Sequence, residues 1–192
     1  MRTSWARLAG QVSECTACAL CEGCTQKVMG QGDPGAPLML IGEGPGEQED
    51  LQGEAFVGRA GELLTNMLAA IQLPRDRVYI CNAVKCRPPQ NRTPRPDELD
   101  ACLPHLLSQI ALVKPKVIFL LGATAVRVIL GPDYRITQCR GQWYERDGIK
   151  IMATFHPAAL LRDPRRKHET WADLKMVKKQ LQELSQYADL LG

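Results

Sequence analysis

No continuous apolar stretch in this 192-residue chain is long enough to cross a bilayer. Its opening residues, MRTSWARLAGQVSEC, lack the apolar block of a secretory signal. A cytoplasmic protein without a membrane partner is therefore expected. Strong charge of either sign is missing too. The chain has 24 Lys and Arg against 21 Asp and Glu, a formal +3, so no whole-molecule field announces nucleic acid. Internal repeats, low-complexity tracts and linker-like segments are absent, and residues 1–192 read as a single domain.

What is present is an ordinary globular balance, 45% apolar and 23% charged, with length enough for one sizeable core. Charge is local rather than global. Residues 43–54 carry Glu43, Glu47, Glu49, Asp50 and Glu54 with no base among them. Arg87, Arg92 and Arg95 group together, as do Arg162, Arg165, Arg166 and Lys167. Such basic clusters suit phosphate contacts, although a solvated face has the same composition.

Strand-like and helix-like segments alternate along the chain. The apolar run LMLIG (38–42) ends in glycine, as a buried strand feeding a loop does, and VYICNA (78–83) and KVIFLLG (116–122) read the same way. Residues 60–71 place Leu63, Leu64, Met67, Leu68 and Ile71 on one helical face. Pro96–Val113 has proline and acids in its first turn, 123–130 stops before Gly131-Pro132, and 167–187 reads as a last helix. Two short strands with a turn at Asp147-Gly148 fill 142–155. This alternation predicts an α/β protein, a mostly parallel central sheet covered on both faces as a three-layer α/β/α sandwich. Ligands of such sheets bind beyond the carboxyl ends of the strands. Four segments lie just past those ends: GEGPGE, CNAVKCRPP, LGAT and FHP. Gly42, Gly44 and Gly46 suggest a dinucleotide turn, but the required third glycine is Glu47, and Glu49 and Asp50 would repel a pyrophosphate.

Eight cysteines are many for a reducing compartment, where ligation is a better reading than disulfides. Cys15 and Cys18 form C-x-x-C, and with Cys86 and Cys102 make a set of two local and two remote thiolates. Four thiolates suit a 4Fe–4S cluster or a tetrahedral zinc, and spacing does not choose between them. Cys21 and Cys24 continue the same spacing, so all four ligands could also be local. Cys81 and Cys139 read as buried core residues.

In order along the chain, GEGPGEQED (42–50), AFVGRAG (55–61), VYICNAVKCRPPQNRTP (78–94) and FHPAALLRDP (155–164) resemble the family-4 uracil-DNA glycosylases, the iron–sulfur enzymes of many bacteria and archaea. The resemblance runs from Cys15 to about Lys178. It implies the uracil-DNA glycosylase fold and a monomeric, monofunctional enzyme of base excision repair. Such an enzyme flips deoxyuridine out of single- or double-stranded DNA, hydrolyses the N-glycosidic bond and leaves an abasic site. It also implies a 4Fe–4S cluster on Cys15, Cys18, Cys86 and Cys102, with the N-terminal segment tied on by it.

By the same resemblance Asn82 recognises uracil. Its carboxamide sets a donor beside an acceptor, matching O4 and N3–H, whereas cytosine presents the reverse. Phe56 would stack on the flipped ring, His156 would donate to O2 as negative charge develops, and Gly42, Glu43 and Gly44 would line the pocket. Other uracil glycosylase families have a water-orienting carboxylate where this chain has Gly44, so leaving-group stabilisation is expected to dominate. Glu47 is expected to shape the pocket near uracil C5. Leu160 is the expected minor-groove wedge, in a loop with Arg162, while Arg87 and Arg92 serve phosphates. A related class that bonds covalently to uracil-DNA carries a nucleophilic histidine in an inserted loop. Here that loop is PPQNRTPRPDE, with neither the insertion nor the histidine.

Overall fold

The computed structural model describes residues 4–184. Two helices open the chain, α1 (Trp5–Ser13) and the single turn α2 (Leu20–Gly23), followed by the short strand β1 (Gln31–Gly32). Next come β2 (Leu38–Gly42), α3 (Glu47–Gln52), α4 (Arg59–Ala70), β3 (Tyr79–Asn82) and the long α5 (Pro96–Val113). After β4 (Val117–Leu121) come α6 (Ala123–Ile129), α7 (Ile136–Cys139), the hairpin β5 (Trp143–Arg146) and β6 (Ile149–Thr154), α8 (Pro157–Arg162) and α9 (Lys167–Glu183). The end of the last expected helix, 185–187, lies outside the described residues.

The six strands form one sheet in the order β1-β3-β2-β4-β6-β5. The four central strands are parallel, and the two edge strands β1 and β5 run antiparallel to their neighbours. β2, β3 and β4 are buried along their whole length, as strands covered on both faces must be. Alternate side chains sort the core. Leu38, Leu40, Ile80 and Phe119 pack with Leu64 and Leu68 of α4 and Leu174 and Val177 of α9 on one face. Met39, Ile41, Ile118 and Leu120 pack with Leu106 of α5 and Val126 of α6 on the other. The result is the expected three-layer α/β/α arrangement. No helix among the described residues is long and apolar enough to cross a membrane.

The register puts the site together. Gly42, the last residue of β2, lies opposite Asn82, the last of β3. Leu121 of β4 lies opposite Thr154 of β6, so Gly122 and Phe155-His156 leave the sheet side by side. On α9, Asp173 accepts from Arg140 (2.6 Å) and from Thr154 Oγ1 (2.7 Å), fixing the helix to the end of β6.

Candidate active site and cysteine cavity

The loops after β2, β3, β4 and β6 surround a cleft of about 720 Å³, with Asn82, Phe56 and His156 in its wall. Asn82 is 2% exposed, and its Oδ1 is the one buried side-chain oxygen or nitrogen among the described residues that has no hydrogen-bond partner. A buried acceptor in that state costs free energy until something donates to it. The neighbouring strand makes room for it. A side chain at Gly42 would collide with both Asn82 Oδ1 and the Phe56 ring, so only glycine lets the two approach.

Phe56 sits 5.6 Å from the His156 ring, centre to centre, with the planes tilted by 31°. Its backbone has φ 56°, a left-handed conformation rare outside glycine, and its neighbours over-determine that conformation. The carbonyl of Ala55 accepts from Gln31 and Arg75. The N–H groups of Val57 and Gly58 both donate to Glu49 Oε1 at 2.9 Å. The other oxygen of Glu49 accepts from the Gly46 N–H at 3.1 Å. One buried carboxylate thus ties the GEGPGE loop to the Phe56 loop.

His156 caps α8. Its Nδ1 accepts from the Ala158 N–H at 3.1 Å, which places the ring proton on Nε2. Burial, with a smaller push from the Arg162 charge, lowers its pKa to about 4. The imidazole is therefore neutral at physiological pH and presents an N–H donor.

The three carboxylates in the cleft wall differ in kind. Glu49 is filled by backbone amides. Glu47, also in the cleft wall, has a side chain 62% exposed and lies 3.5 Å from Arg87. Glu43 accepts from Thr124 Oγ1 at the start of α6 and is held in one orientation. A Cβ on Gly44 would press on Val84 at 2.8 Å.

FHPAALLRDP is not the expected loop. Pro157 at the first helical position and the His156 cap start α8 over these residues. Leu160 points into the core and is 1% exposed, so it cannot serve as the wedge. Leu161, one position on and 38% exposed, is the leucine at the surface. Arg162 and Arg166 line the cleft. Arg92 also reaches it, but its guanidinium makes a bidentate pair with buried Glu98 (2.6 and 2.8 Å), which leaves it less free for a phosphate than expected. Arg87 is engaged by Glu47 and by Asn91 Oδ1 (2.8 Å). Asn91, with φ 55°, lines the cleft and had no sequence signal beyond its place in the loop.

A second, smaller cavity lies beyond β3 between α1, α2 and α5. Cys15, Cys18, Cys21, Cys86 and Cys102 all line it. Cys24 is not in its wall, and its thiol donates to the Cys21 carbonyl at 3.7 Å. Burial raises the Cys86 and Cys102 thiols, while Lys85 pulls Cys102 the other way. Cys81 and Cys139 are buried in the core as expected. Among the described residues no three Cys, His, Asp or Glu close on a single ion. The thiols stand around a space instead, as ligands of separate irons in a cluster would. The wall holds five cysteine sulfurs and one imidazole, His105, whose Nε2 lies 3.3 Å from Cys15 Sγ, with apolar Val12, Leu20 and Val84 and the cations Lys27 and Lys85 beside them. It fits a thiolate-bound, anionic iron–sulfur group.

Sheet order and cleft together define an α/β protein with a pocket at the carboxyl ends of the parallel strands. The family model described as the uracil DNA glycosylase superfamily matches residues 29–175. A type-4 uracil-DNA glycosylase of Thermotoga maritima is 48% identical over 157 residues, 80% of this chain and 81% of that protein. Those of Archaeoglobus fulgidus (40% over 175 residues, 87% and 88%) and Sulfurisphaera tokodaii (42% over 177 residues, 88% and 80%) are similar over comparable spans. The chain belongs to the uracil-DNA glycosylase superfamily, in its type-4 branch.

Proposed function

We propose that this chain, as one cytoplasmic, monomeric domain, excises uracil from single- or double-stranded DNA by hydrolysis and leaves an abasic site. The observation that carries the reading is the unpartnered Oδ1 of Asn82, buried between Gly42 and Phe56 in the cleft wall. Uracil N3–H satisfies this acceptor while the amide NH2 donates to O4. Cytosine brings an acceptor at its own N3 and leaves both unpaired.

The flipped ring stacks on Phe56, which its three clamps hold in place. Neutral His156 donates Nε2–H to O2 as the glycosidic bond breaks and charge grows on uracil, and Arg162 adds positive potential at the same place. Of the three carboxylates, Glu43 is the one left to orient water, because Glu49 is filled and Glu47 is turned to Arg87. Gly44 supplies wall without a side chain. Leu161 on α8 fills the vacated stack, with Arg162 at the DNA backbone. A 4Fe–4S cluster on Cys15, Cys18, Cys86 and Cys102 supplies no chemistry to this reaction and ties the N-terminal segment to the loop after β3 and to α5.

The test is incubation with a uracil-containing oligonucleotide followed by alkaline cleavage of abasic sites. Treatment with the wild-type protein makes the uracil strand alkali-cleavable and leaves matched cytosine and thymine strands intact. Asn82→Ala loses about a hundredfold in kcat/KM, the scale of two lost hydrogen bonds in a buried site. An intact uracil strand with the wild-type protein refutes the function.

A further inference from the structure

Lys85 heads the largest side chains that the fold buries, at 2% exposure. Its ammonium makes two short hydrogen bonds, to the backbone carbonyl of Asn82 (2.6 Å) and to Gln109 Oε1 (2.6 Å), and both acceptors are neutral. Gln109 is itself anchored on Tyr79 Oη (2.9 Å) and the Met29 carbonyl (2.6 Å), so the network is fixed. None of the ion pairs among the described residues includes Lys85. A buried charge is retained only where an opposite charge or a full set of good acceptors compensates it.

The missing negative charge has one candidate location. Lys85 lines the cavity of the five cysteines. The same residue therefore touches the cysteine cavity and holds the peptide of Asn82. We infer that Lys85 is a positioning residue: thiolates bound in a cluster balance its ammonium, and its hydrogen bond to the Asn82 carbonyl carries that balance to the uracil pocket. This rests on the cluster reading above. With the cluster bound, the anionic sulfurs hold the ammonium, and the ammonium fixes the end of β3 so that Oδ1 faces the cleft. With the cluster lost, its negative charge goes with it, and the Asn82 peptide is no longer held from the cysteine side. The cluster then acts on base recognition through a single side chain, not only on the shape of the DNA-binding surface.

The experiment compares the iron-loaded wild-type protein with Lys85→Met, which keeps length without charge, and Lys85→Arg, which keeps charge. Iron content, visible absorbance, the cluster's midpoint potential, and kcat and KM on a single-stranded uracil oligonucleotide are measured. Removing a nearby cation disfavours the reduced, more negative cluster. Lys85→Met therefore shifts the potential to more negative values and lowers kcat/KM about tenfold, while Lys85→Arg keeps the potential near the wild-type value. An iron-loaded Met variant unchanged in either quantity overturns the inference. Should the Met variant retain no iron, retention by the Arg variant supports a charge requirement, and loss from both overturns it. Wild-type protein without iron or visible absorbance refutes the cluster reading itself, a result separate from any property of Lys85.

Discussion

His156 is useful only while its Nδ1 remains an acceptor for the Ala158 N–H, since a proton there would break the cap and charge the ring. Burial lowers its pKa from the ordinary value of 6.5 to about 4. Activity per folded molecule should therefore stay level as pH falls from 8 to about 5 and drop only as it passes through about 4. An acid limb centred near 6.5 in the single-turnover rate would show that the folded imidazole is not depressed. Stability behaves differently. Between 6.5 and about 4 the unfolded histidine takes up a proton that the folded one refuses, so this residue's contribution is complete above 6.5 and is lost as pH falls through that window. A melting temperature that declines while turnover holds is the combined signature.

At the scale of an element, α8 separates two adjacent leucines by phase. Leu160 belongs to the core with Leu64 and Leu174, and Leu161 is exposed on the surface of the same helix. Leu160→Ala should cost ~2–5 kcal/mol of stability by opening a cavity while leaving the kcat/KM of the folded fraction nearly unchanged. Leu161→Ala should leave the melting temperature within a degree or two of wild type yet lower activity on duplex DNA more than on a single strand, where no stack needs filling. Thermal melts and paired substrates check both, and reversed behaviour would return the wedge to position 160. The buried Glu49 works at this scale too, because three amides from two loops depend on one carboxylate.

Over the whole molecule, the parts governed by local pattern were legible in the sequence. Apolar runs ending in glycine or asparagine gave β2, β3 and β4, and the alternation of elements gave the parallel centre and the edge where the loops meet. Long-range pairing was not legible. The acid run 43–54 looks like a solvated face, yet Glu49 is enclosed by amides and Asp50 accepts from Thr25 (2.9 Å) and Gln26 (3.3 Å), partners some 25 residues away. Arg92 in a basic cluster looks free for phosphate, yet Glu98 takes it. FHPAALLRDP, with its two prolines, reads as a loop in the sequence. The first of them starts a helix, and one residue of helical phase decides which leucine is exposed. Edge strand β5 runs antiparallel to β6 because a hairpin, unlike a crossover, needs only the Asp147-Gly148 turn.

The bare oxygen of Asn82 also bears on the fate of the product. Free uracil, once cleaved, still has the N3–H that pairs with this acceptor, so the contact that selects the substrate also retains the released base. The enzyme should be slowed by its own product: added uracil lowers steady-state turnover, whereas added cytosine at the same concentration does not. Equal inhibition by the two bases would mean that stacking on Phe56, and not the carboxamide, holds the departing ring.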